Sequence, residues 1–142
     1  MTMTVTPSEL FQLALKRHQE PWNWTLHFIG VVGFAITLFA HSYLMFAASL
    51  IIFGAGFFDL KMPKPVKNSW FALVAGAVEW EKDWLSTPWN WYKIWRFGFV
   101  MTVLAITIWA LVTRDGAVLC AIVGFAYLIK IMRENIDAGI EP

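Results

Sequence analysis

Charged residues leave three long gaps in this chain, Trp24–Phe58, Phe97–Thr113 and Gly116–Ile129. The first is long enough for two passes through a bilayer and breaks near His41-Ser42-Tyr43, its only polar cluster. Divided there, the gaps predict four spans of roughly 14–17 apolar residues, at or below the short end for a spanning helix. The last can lengthen by letting Lys130 and Arg133 carry their charges outward along apolar stems.

The segments between the gaps alternate differently. Thr6-Pro7-Ser8-Glu9 has the form of a capping box that opens a helix over 7–19, with Leu10, Phe11, Leu13, Ala14 and Leu15 apolar. Its length suits a helix lying on a membrane surface. Pro21 ends it, and Asn23 is placed to cap the first span. Pro63 and Pro65 force a break after the second span. A second surface helix follows over 69–85, with Trp70, Phe71, Leu73, Val74, Val78 and Trp84 apolar and Glu79, Glu81, Lys82 and Asp83 near its end. The expected fold is all-α and integral to a membrane: four transmembrane helices as two hairpins, plus two interfacial amphipathic helices.

Composition agrees, since 58% of the 142 residues are hydrophobic and 15% charged, unlike an ordinary soluble domain. With four spans, ten of the eleven Lys and Arg residues fall on one side, and only Arg114 on the other. The positive-inside rule makes that side, with both termini, cytoplasmic. Eight of the nine tryptophans, all but Trp109, lie in or beside the same segments, where an interfacial belt belongs. The expected location is a bacterial inner membrane. Residues 1–20 carry Glu9, Lys16, Arg17 and Glu20 and do not read as a cleavable signal. The lone Cys120 excludes an internal disulfide, and a net charge of +1 argues against nucleic acid as a partner. Pro21-Trp22-Asn23-Trp24 recurs as Pro88-Trp89-Asn90-Trp91. Either a hairpin was duplicated or two spans starting on the same side use the same interfacial residues.

The candidate chemistry lies in the first half. His18 and His27 flank the start of the first span, and Asp59 lies at the exit of the second, so topology puts the three at one depth. Two imidazoles and a carboxylate form the ligand set of a non-haem Fe(II) centre with open positions for oxygen and substrate. Each group also has a plain structural reading, as an interfacial histidine or an acid at a helix end. Haem is disfavoured, because His27 and His41 sit one near each end of a span and neither has a second histidine opposite.

His18-x-x-Pro21-x-Asn23-x-x-x-His27, followed by Phe28-Ile29-Gly30, resembles the opening motif of the 2-hydroxy fatty acid dioxygenase family of small polytopic membrane proteins. That family's second motif is Gly-His, three residues, Glu, three residues, Pro. Here it reads Gly54-Ala55, three residues, Asp59, three residues, Pro63. The similarity covers about residues 8–87, and 88–142 reads as an added hairpin; those ranges are the two expected domains. The resemblance implies an iron enzyme of fatty-acid metabolism that inserts oxygen into a 2-hydroxy acyl chain. His18 and His27 carry over as metal ligands, but Ala55 stands where the family has histidine, leaving Asp59 or Glu79 as stand-ins. Trp22, Trp24, Phe57 and Phe58 would line an acyl groove, and Pro21, Asn23, Gly54 and Pro63 complete the motifs.

Two functions therefore stay open. One is an iron-dependent oxygenase acting on a lipid acyl chain. The other is a non-catalytic accessory or structural subunit on the same scaffold, supported by Ala55 and by Gly30, Gly33, Gly54 and Gly56 as close-packing positions. Membrane lipids, a membrane protein partner or a second copy of the chain are the expected partners.

Overall fold

The computed structural model describes residues 6–140, and these hold six α-helices and no strand. They are α1 (Pro7–His18), α2 (Pro21–Ala40), α3 (Tyr43–Ala55), α4 (Ser69–Ser86), α5 (Trp91–Thr113) and α6 (Gly116–Asp137). By length and composition α2, α5 and α6 can each cross a membrane. The fourth expected span, α3, has only 13 residues, about 20 Å of helix against a hydrocarbon core of about 30 Å. Among the described residues the only buried hydrophobic side chains are Val74, Val78 and Ala110, and long rows of Phe, Leu, Ile and Val face outward. An apolar surface so extensive is what a lipid solvent covers.

The chain divides into two compact units. One runs through Thr37 and resumes over Ser42–Pro88; the other comprises Leu38–His41 and the chain from Trp89 onward.

In the first unit, α1 opens on the expected capping box: Thr6 Oγ1 accepts from the Glu9 amide, and the Glu9 carboxylate accepts from the Thr6 amide at 2.8 Å. The helices α2 and α3 form an antiparallel hairpin whose close approach depends on glycine. A Cβ on Gly30 would lie 2.7 Å from Phe53 Cβ, and one on Gly33 would collide with Ser49 Oγ. Gly54 has nothing within 4 Å and plays no such part. The helix α3 stops at Ala55, where the amides of Gly56, Phe57 and Phe58 turn to the carbonyls three residues back, at 3.2, 3.1 and 3.1 Å, and the carbonyls of 56–58 are taken by side chains. Asn23 Nδ2 donates to Gly56 O at 2.7 Å and to Phe58 O at 2.9 Å, and Arg17 donates to Phe57 O at 3.1 Å. Asn23 is thus not the cap of α2, which already begins at Pro21. The helix α4, capped by Asn68, buries Val74 and Val78.

In the second unit, Asn90 caps α5 by accepting from the Lys93 amide at 2.8 Å, and Asp115 caps α6 through the Val118 amide at 3.1 Å. Arg114 closes α5 in the left-handed conformation, with φ of 56°. His41 also has positive φ, at 53°, and the two residues share one network. Arg114 Nε donates to Phe39 O at 2.8 Å, and His41 Nε2 donates to Val112 O at 3.0 Å. Helix-end carbonyls that would otherwise be orphaned are satisfied in this way.

Candidate functional site

The helix α1 ends on His18, and the first two turns of α2 carry Trp22, Asn23, Trp24 and His27. The Gln19–Glu20 break lets α1 fold back against α2, so His18 Nδ1 and His27 Nδ1 meet at 2.7 Å with ring centroids 4.7 Å apart. The other side of His18 faces α4, where Nε2 lies 3.2 Å from Glu81 Oε2. The second Glu81 oxygen accepts from Trp24 Nε1 at 2.9 Å. The rings of Phe53 and Phe57 pack on His27 with centroids at 4.8 and 4.4 Å, and His27 is 3% exposed.

These partners assign the tautomers when both rings are neutral. His18 donates from Nε2 to the carboxylate, so its Nδ1 accepts, and His27 must donate from Nδ1. His27 Nε2 is left as a buried lone pair without a partner. It points at Gly56, where a Cβ would lie 2.7 Å from it.

The two imidazoles therefore come together as the motif implies, but Asp59 does not join them: it is exposed on the irregular segment after α3. Glu79 is exposed as well. The carboxylate that reaches the pair is Glu81, and the stripe Trp70, Val74, Val78 points to it. Continued by three residues, that buried face carries position 81, whereas position 79 is turned about 100° away. Ala55 is half-buried beside Gly56.

The proposed groove residues have other work. Trp22 Nε1 donates to Pro63 O at 2.8 Å, and its ring meets Phe71 edge-on. Trp24 lies stacked on Phe28 with centroids 5.6 Å apart. Thr25 Oγ1 donates to Pro21 O and accepts from Trp70 Nε1 at 3.1 Å. Both Phe57 and Phe58 are exposed, but one face of the Phe57 ring packs on His27. Three indole N–H groups thus hold α2 to α4 and to the Pro63 segment.

The donor set does not fit a centre of two imidazoles and one carboxylate. Glu81 sits on the far side of His18 from His27, and among the described residues no three His, Cys, Asp or Glu side chains converge to hold a metal ion. His41, the remaining histidine, uses Nε2 on Val112 O and has Nδ1 3.4 Å from Arg114. Comparisons with protein families, with curated proteins and with solved structures found no match for this chain.

Proposed function

We propose that the first unit is a non-catalytic membrane module, an accessory or packing subunit in which His18, His27 and Glu81 fasten the flanking helices α1 and α4 to the α2–α3 hairpin. One observation carries this reading: the cluster's polar atoms are spent on each other, with His27 Nε2 alone left over. Each neutral hydrogen bond in such a chain contributes about 0.5–1.5 kcal/mol, and those to the carboxylate rather more. The Ala55 position supports the same reading, because the motif there lacks its imidazole.

An iron-dependent oxygenase acting on a 2-hydroxy acyl chain is the second reading. What favours it is Glu81 on the outer nitrogen of His18, the arrangement in which a carboxylate orients a metal-binding imidazole. One experiment separates the two: iron content and melting temperature of the full chain in mild detergent, for wild type, His18→Ala, Glu81→Gln and Ala55→His. The structural reading expects background iron throughout and a lower melting temperature for the first two variants. Stoichiometric iron that His18→Ala removes without changing the melting temperature would sink it. A rise in iron on Ala55→His would mark the scaffold as a lapsed metal site.

A further inference from the structure

The second unit carries a feature that the histidine cluster does not involve. Tyr92, Trp95, Arg96, Phe99 and Val100 of α5, with Arg133 of α6, line a groove of about 450 Å³. That volume falls in the range of roughly 300–1,000 Å³ typical of small-ligand sites. The groove is built in two chemical halves. Its apolar wall is open, with Trp95 65%, Phe99 62% and Val100 59% exposed. Its other half is cationic. The Arg96 guanidinium lies over the Tyr92 ring at 5.4 Å, and neither Arg96 nor Arg133 makes an ion pair among the described residues. The neighbouring acid, Glu134, is already engaged by Lys130 at 3.6 Å.

Position along the helices orders the two halves. Arg96 lies in the second turn of α5 and Arg133 in the last turns of α6, so the antiparallel hairpin brings both charges to one end. Phe99 and Val100 continue from there toward the middle of α5. A ligand filling the groove has an anionic group at the interfacial end and a hydrocarbon tail running inward. Two guanidiniums suit phosphate oxygens, which they can bind through paired N–H donors. Aromatic residues at headgroup depth and basic pockets between helices are the recurring parts of lipid headgroup sites.

We propose that this groove binds one anionic phospholipid, its phosphate held between Arg96 and Arg133 and one acyl chain laid along Trp95, Phe99 and Val100. The test uses the full chain in a neutral detergent, titrated separately with phosphatidylglycerol, phosphatidylcholine and water-soluble glycerol phosphate. Melting temperature and lipid retained in native mass spectrometry are the readouts. Phosphatidylglycerol is expected to act at least tenfold below the phosphatidylcholine concentration, and glycerol phosphate to have no effect. The double variant Arg96→Gln/Arg133→Gln should lose that preference, while Lys130→Gln should keep it. Val100→Trp, which fills the groove and leaves the charge intact, should also lose it and covers the case of a double variant that fails to fold. Equal action of the two lipids, a preference surviving Val100→Trp, or full action by glycerol phosphate alone would each overturn the proposal.

Discussion

Asn23 is 1% exposed, and one carboxamide nitrogen serves two carbonyls, Gly56 O and Phe58 O. Those carbonyls follow the last turn of α3, and the bond to Gly56 O is buried, out of reach of a replacement donor. Asn23→Ala should therefore cost about 1–3 kcal/mol, the price of leaving buried acceptors bare. Asn23→Asp should cost more, because it turns a carboxylate toward the same oxygens; thermal melts of the two variants in detergent check the order. Glu9 offers a contrast at a site open to water. Hydrogen bonds from the Thr6 amide and hydroxyl hold its carboxyl below the ordinary value of 4.5. A depressed pKa means that the cap contributes fully above the unfolded carboxyl's range and is lost as pH falls through the lowered folded value. The Thr6 amide resonance should shift on acidification with a midpoint below 4.5. Glu9→Gln, which still caps, should abolish that titration; a midpoint at or above the ordinary value would remove the capping argument.

Pairs of helices are decided by where glycine sits, and two glycines two residues apart behave differently. A methyl on Gly56 would press on His27 Nε2, Cδ2 and Cε1 at 2.7, 2.8 and 3.0 Å, against a ring already wedged between Phe53 and Phe57. Gly56→Ala should destabilise by about 1–3 kcal/mol, as overpacking does. Gly54→Ala meets open space and should be neutral or stabilising by up to ~1 kcal/mol. Equal melting temperatures for the two variants would contradict the hairpin's packing. The surrounding elements were readable from short-range chemistry: the Thr6–Glu9 box, the break at His41 and the helix after Pro65 depend on neighbours in sequence. What sequence could not supply was long-range. The carbonyls of 56–58, just past the end of α3, are captured by residues more than thirty positions away, and Glu81 rather than Asp59 reaches His18 because α4 turns that face inward. The repeated Pro-Trp-Asn-Trp shows the same limit. Asn90 caps α5, whereas Asn23 sits inside α2 and reaches across to α3. Identical tetrapeptides in different roles favour convergent use of good interfacial residues over a duplicated hairpin.

For the molecule as a whole, the number of crossings turns on α3, the one apolar helix too short to cross by length alone. Its partners answer for the first unit. Phe46 packs against Phe34 with centroids 5.8 Å apart, Ser49 lies against Gly33, Phe53 against Gly30, and Gly56 against His27. Residues 57–63 continue the pairing through Arg17, Asn23 and Trp22. The irregular segment thus completes the return that α3 begins, and the chain is back at the level of Pro21 by Pro63. If α2 crosses, this hairpin returns to the side on which it began, and the α5–α6 pair does the same. Both ends of the chain should then share one face, the one that collects all the Lys and Arg residues except Arg114. In a Cys120→Ala background, a membrane-impermeant thiol reagent applied to intact cells should modify Ser42→Cys and spare Lys61→Cys until the membrane is opened. Equal modification of both in intact cells would mean that α2 does not carry the chain across, and with it the interfacial depth of His18, His27 and the Pro63 segment would fall.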